Sequence, residues 1–186
     1  MPSDYNWLVL LAILSLTIYA QLLLGWAANS AYAFLGSLRS SAALISYELI
    51  LSTAGLVPML LSQSYSLQHI IEGQTSIIYA IPLLPVFMIF LISTLAEASR
   101  VPFDLVEAES ELVSGYMTEH ASVAFTLLFL TEYASILLFS SLNAILWFGT
   151  SYYTHFALAV SAMLSFVILA RALLPRMRYD QLISFC

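Results

Sequence analysis

The sequence has no lysine and a single cysteine, Cys186, and only 9% of its 186 residues are charged. Each scarcity excludes something. One cysteine cannot form an internal disulfide or a cysteine-rich metal site, and it carries little information about redox compartment. Three histidines, His69, His120 and His155, lie too far apart in sequence to make a ligand cluster, so no metal is expected. Only five cations exist, Arg39, Arg100, Arg171, Arg176 and Arg178, and they form no basic patch for a nucleic-acid partner. So little charge could not cover the surface of a soluble domain of this length.

What is abundant is apolar. Hydrophobic residues make up 61% of the chain and the mean hydropathy is +0.93. About 20 helical residues cross a hydrocarbon core of about 30 Å. Five segments reach that length, near residues 7–26, 41–62, 78–97, 119–147 and 152–174. The expected fold is therefore all-α, a single polytopic membrane bundle of about five helices. The first segment is too long for a signal-peptide core and has no basic flank, so it is read as a span. Gly25, Asn29 and Gly36 mark the first connection, and QSYSLQHIIEGQ marks the second. No repeat of fixed period appears; paired inverted halves, the mark of many transporters, are absent as well.

Alternating five spans puts Arg39, Arg100, Arg171, Arg176 and Arg178 on one side of the membrane. The second and fourth connections hold neither Arg nor Lys. By the positive-inside bias, that side is expected to be the cytoplasm, or the matrix in a mitochondrion. His69 and His155 fall on the other side as ordinary loop or interface residues.

Against this background the acids are conspicuous. Glu48 lies about seven residues into its segment, about 10 Å along the axis, and Glu132 lies near the middle of another. A carboxylate at such depth costs at least about 2.5 kcal/mol and should face protein or water. Ser41, Ile45, Glu48, Ser52 and Gly55 recur at helical spacing, as do Glu132, Ser135, Phe139 and Asn143. Stripes of small and polar residues let helices approach closely. With Glu97 and Glu119 at the ends of two segments that flank one loop, the pattern points to proton handling, because burial shifts carboxylate titration towards neutral pH.

The loop, residues 98–118, reads ASRVPFDLVEAESELVSGYMT. Pro102 disfavours helix at Val101. Asp104 and Glu107 match a capping box for a short amphipathic helix running to about Val113, which Gly115 can end. Leu105, Ala108 and Leu112 share one face, with Asp104, Glu107 and Glu111 nearly opposite. Capping accounts for Asp104 and Glu107. It does not account for Glu109, about 40° from Leu105 on the apolar face.

The pattern AExxRxPFDLxExExELVxGYxxE, from Ala96 to Glu119, resembles the signature of the NADH dehydrogenase subunit 1 family of respiratory complex I. GWAANSAYAFLGSLRSSAALISYE, FLTEY and RALLPRMRYDQL match in order, so the resemblance covers essentially the whole chain. It implies a core membrane subunit of proton-pumping NADH:ubiquinone oxidoreductase, in the mitochondrial inner membrane or a bacterial plasma membrane. Lysine absence and an apparently split gene favour the mitochondrion. Its inner face would help form the quinone chamber and tunnel. Carried across, Glu48, Glu97, Asp104, Glu107, Glu109, Glu111, Glu119 and Glu132 would form the proton path. Arg39, Arg100, Phe103, Phe129, Tyr133, Arg171 and Arg176 would line the chamber and tunnel. Ubiquinone would be substrate, and flavin and iron–sulfur clusters would sit in partner subunits, with none on this chain. The family has about eight spans, and the matched portion lacks the first two and the last; either the subunit is split, with separate chains supplying them, which is the favoured expectation, or it is truncated. The resemblance also implies partners in the peripheral-arm and antiporter-side subunits and in membrane lipid. His120 stands where the family usually has Tyr, and Ala108 where many members have Gly. The alternative is a membrane anchor of a related ion-pumping hydrogenase, which uses similar subunits.

Overall fold

The computed structural model describes residues 4–75, 77–98, 103, 122–149 and 152–174, with the side chains of 122–125 excepted. Among these the chain is all-helical. Its elements are α1 (Asn6–Ala27), α2 (Ala31–Ser62), α3 (Leu67–Gly73), α4 (Leu84–Glu97), α5 (Ser122–Phe148) and α6 (Tyr153–Leu173). Four of them, α1, α2, α5 and α6, are long and apolar enough to cross a membrane. The architecture is a polytopic helical membrane bundle in which α1 packs on α2, α2 on α4, and α5 on α6. Most of α1 and α6 lies outside the packed interior, and exposed Leu16, Leu23, Leu158 and Ile168 give them the apolar surface a bilayer favours.

The α1–α2 hairpin shows how small residues set the packing. Gly25 of α1 lies against the Ser37 side chain of α2, and Gly55 of α2 lies against the Trp7 indole of α1. These contacts are eighteen residues apart on each helix, so the two helices run antiparallel in constant register for about 27 Å. A side chain at either glycine would overlap its neighbour across the interface. The buried stripe of α2 includes Ser37, Ser40, Ser41, Leu44, Tyr47, Leu51, Ala54 and Pro58, steps of one, three or four that keep one face inward. Its serines are satisfied inside their own helix. Ser37 Oγ donates to Phe34 O (2.9 Å), Ser40 Oγ to Ser37 O (3.0 Å) and Ser41 Oγ to Leu38 O (3.0 Å). Within this stripe, Gly55 and Ser41 are buried as expected, but Ile45 is 50% exposed, and Glu48 and Ser52 sit at its border.

Two helix starts differ from the sequence reading. α2 begins at Ala31, ten residues before the expected 41, because the α1–α2 turn needs only three residues. Asn29 takes a left-handed φ of 49°, and Ser30 caps α2 by accepting from the Ala33 N–H at 3.2 Å. Gly36, read as a breaker, is instead a buried helical residue. Arg39 is therefore on α2 and not in the first connection. The 32 residues of α2 extend about 48 Å, and when the last twenty cross a core of about 30 Å, the Arg39 turn stands at its edge.

α4 begins at Leu84 instead of 78. Pro82 disfavours helix in the residue before it, and Pro85 occupies the first turn, where a missing N–H costs nothing. The connection before it contains α3, a short helix not expected from sequence, with Ile70 fully buried.

This connection ties the end of α5. Gln74 is 4% exposed, and its Nε2 donates to Ile145 O (3.3 Å) and Leu146 O (3.0 Å). Ala80 N donates to Trp147 O (3.1 Å). These donors meet carbonyls that a helix C-terminus leaves without intrahelical partners. Gly149 follows at φ 51°, pressed against Gln74, where a side chain would be both strained and blocked. Trp147 fills the space beneath, with its ring edge-on to Phe87 (5.5 Å) and Phe90 (5.7 Å).

Gly55→Leu tests the hairpin. It should lower thermal stability by at least about 1–3 kcal/mol through overpacking against Trp7, whereas Leu60→Ala, at a position 74% exposed, should change the melting temperature little. Thermal unfolding of the purified protein in detergent distinguishes the two.

Candidate functional site

The clasp at Gln74 and Trp147 gathers the end of α2, the start of α4 and the end of α5 at one end of the bundle. Chain alternation then brings the start of α2, with Arg39, the end of α4, with Glu97, and the end of α6, with Arg171, to the opposite end. Three groups singled out from the sequence thus share one end of the fold. Arg39 is half-buried, and Arg171 is exposed in the last turn of α6, where a cation complements the helix dipole.

At that end Glu97 is the most enclosed acid described. It is 8% exposed, and its Oε2 accepts no hydrogen bond among the described residues. Ser93, Thr94, Leu95 and Ala96 around it on α4 are buried as well. Among the described residues, Glu48 of α2 acts on it electrostatically. The two acids come from helices that pack directly on one another, so a buried carboxyl whose Oε2 has no partner among the described residues interacts with a second carboxyl across a helix interface. In low-dielectric surroundings two like charges at such a place repel strongly, and binding a proton relieves that repulsion. The arrangement can hold and release a proton.

Phe103 closes the neighbourhood. It is 7% exposed, and its ring stands edge-on to Tyr47, the residue before Glu48, at 5.7 Å and 63°. Leu91, Leu95, Met163 and Ala170 share its cluster. The residue read as a chamber aromatic is thus packed into the interface of α2, α4 and α6 beside the acid pair.

Glu132 is half-buried on α5, in line with half-buried Ser135 and buried Phe139 and Asn143. That stripe has the inward direction its spacing implied. Asn143 Nδ2 donates to Thr94 Oγ1 of α4 at 3.2 Å. Thr94, three residues before Glu97, was not singled out by sequence; its position one turn from the acid was the available signal. Phe129 is half-buried, and Tyr133 is 55% exposed on the outer surface of α5. They are not brought to the Glu48–Glu97 pair. Among the described residues no three His, Cys, Asp or Glu side chains gather as a metal site would require. Arg100, Asp104, Glu107, Glu109, Glu111, Glu119, Arg176 and the short amphipathic helix lie outside the described residues, as do His120 and Arg178.

Comparison with known proteins gives a consistent result. The chain matches the NADH dehydrogenase family over residues 1–186. It is 49% identical over 202 residues to NADH-ubiquinone oxidoreductase chain 1 of Mycosarcoma maydis, covering 99% of this chain and 61% of that protein. It is 50% identical over 184 residues to the same chain of Candida albicans, with 99% and 58% covered. A bacterial relative, an NADH-quinone oxidoreductase subunit of Rhodospirillum centenum, is 43% identical over 195 residues, with 97% and 58% covered. The chain thus spans about three fifths of the length of these curated relatives. A buried glutamate at the head of the acidic motif, an all-helical membrane bundle and a match along the full chain agree, and the chain belongs to the NADH dehydrogenase family.

Proposed function

We propose that this chain serves as part of the core membrane subunit of a proton-translocating NADH:ubiquinone oxidoreductase, in the mitochondrial inner membrane. The observation that carries the reading is Glu97, buried with no hydrogen-bond partner at Oε2 among the described residues and acted on by Glu48 across the α2–α4 interface. Stability alone does not favour such an arrangement, since an unsatisfied buried carboxyl costs free energy and a like-charged neighbour adds to that cost. A proton relay uses both features. Relatives named as NADH-ubiquinone oxidoreductase chain 1 supply the reaction to which such a relay would belong.

In this reading the end of the bundle holding Arg39, Glu97 and Arg171 faces the matrix, in keeping with the positive-inside bias. Quinone binds at that face, in a chamber completed by other subunits of the complex. Its reduction changes the local charge near Arg39, Arg100, Arg171 and Arg176. The acids of the 98–118 segment, Asp104, Glu107, Glu109 and Glu111, with Glu119 beyond it, pass that change to Glu97 and Glu48, and Glu132 continues the route along α5. Phe103 holds the beginning of the acidic segment against Tyr47, and so against the turn of α2 that bears Glu48. Half-buried Phe129 and the more exposed Tyr133 lie on α5, where a neighbouring subunit or the quinone tail would meet them. Electrons enter through flavin and iron–sulfur centres on partner subunits.

Two expected outcomes test this reading. Glu48→Gln or Glu97→Gln should reduce quinone-linked proton translocation several-fold in membrane vesicles, with NADH oxidation by a water-soluble acceptor unchanged. Full coupled activity in both variants would remove the acid pair from the proton route. Glu97→Met should also raise the thermal stability of the protein in detergent by about 1–3 kcal/mol while abolishing coupling, because it removes a buried unsatisfied carboxyl at similar volume. A fall in stability would mean that Glu97 is held by structural bonds and not kept for protons.

A further inference from the structure

Two contacts set how α4 lies against α5. Phe90 of α4 stands edge-on to Trp147 of α5. One turn further along α4, Thr94 Oγ1 accepts from Asn143 Nδ2 at 3.2 Å, and Asn143 lies one turn further back along α5. Ala98 and Phe139, a turn beyond again, share one core cluster. The two helices are therefore antiparallel and in constant register here, with Phe90, Thr94 and Ala98 as the stripe turned to α5. Glu97 stands about 60° round the helix from Thr94. It lies off that stripe, where Glu48 of α2 acts on it.

The contacts differ in kind. Ring packing is non-directional and tolerates sliding, whereas a hydrogen bond fixes both distance and angle. This one is anchored at each end to its own backbone. Asn143 Nδ2 also donates to Phe139 O at 2.9 Å, and Thr94 Oγ1 donates to Leu91 O at 2.8 Å. Both side chains are buried, and in hydrocarbon no solvent replaces a lost bond. The sensitivity to rotation is large. Turning α4 by about 30° would carry an atom about 5 Å from its axis through about 3 Å, which is enough to change how a carboxyl on α4 meets one on α2.

We propose that Asn143 and Thr94 are positioning residues for Glu97: their hydrogen bond fixes the rotation of α4 and so aims the Glu97 carboxyl towards Glu48. The inference rests on the reading of Glu97 as a proton carrier, and both residues act through the helix and not by carrying the proton.

Infrared difference spectroscopy of the assembled oxidoreductase, comparing oxidised and quinol-reduced states, reads the carboxyl band that disappears in Glu97→Gln. Thr94→Val keeps the shape of the side chain and removes the acceptor. It should move that band to a new frequency and lower quinone-linked proton translocation about two- to tenfold, the range that one hydrogen bond supports. Thr94→Ser retains Oγ and should restore both. Asn143→Leu breaks the same bond from α5 with α4 unchanged in sequence, so it tests the proposal even where Thr94→Val fails to assemble. Combining the two should add nothing to either alone. A bond that serves stability only would lower the melting temperature in Thr94→Val and Asn143→Leu while leaving the band in place. That result overturns the positioning role and leaves the proton reading standing, as does a band that moves equally in Thr94→Ser. A wild-type spectrum with no band that depends on Glu97 overturns both.

Discussion

In hydrocarbon no solvent satisfies a polar group, so every backbone and side-chain donor and acceptor inside the bundle must find a partner in protein or bound water. Most of this structure is a set of answers to that constraint. The serines of α2 donate to carbonyls of the preceding turn and can then line a tight interface. The last carbonyls of α5 meet the Gln74 amide and the Ala80 N–H. Asn143 spends both amide hydrogens, one of them on Thr94 across the α4–α5 interface. Where the constraint is met, helices pack closely and in fixed register, as Trp7 against Gly55 and Ser37 against Gly25 show.

Glu97 is a departure that also bears an ionisable group. Its Oε2 has no donor among the described residues, and its charged neighbour is another carboxylate. The rest of α4 shows that the fold can satisfy polar groups at this depth, since Ser93 and Thr94 both donate to their own helix at 2.8 Å. Unlike those hydroxyls, Glu97 is a carboxyl whose Oε2 has no donor among the described residues, and a buried carboxyl of this kind keeps a position whose protonation can change. Phe103, packed on Tyr47, joins that position to the acidic segment of the family motif.

Much of the fold was legible in the sequence, because hydropathy over about twenty residues reports the strongest constraint a bilayer imposes. The long helices α1, α5 and α6 lie close to the limits read from composition. The starts of α2 and α4 were not legible to the same degree. Gly36 looks identical in sequence whether it breaks a helix or lets one approach another, and only the neighbouring α1 decides. The inward stripe of Glu132, Phe139 and Asn143 followed from spacing, whereas Ile45 shared the period of its stripe but faces outward, because α1 and α4 select a face one residue away. The Glu48–Glu97 encounter joins positions almost fifty residues apart, so each acid could be singled out in sequence but their meeting could not. Gln74 and Thr94 were missed for the same reason, since their partners are supplied by α5.

The central claim is that Glu48 and Glu97 act as one proton-binding unit that responds to the quinone reaction. Infrared difference spectroscopy of the assembled oxidoreductase, comparing oxidised and quinol-reduced states, reads carboxyl protonation directly. The expected result is a change in a carboxyl C=O band on reduction that is lost in Glu97→Gln and shifted or lost in Glu48→Gln. A band that changes on reduction in the same way in the wild type and in both variants would contradict it.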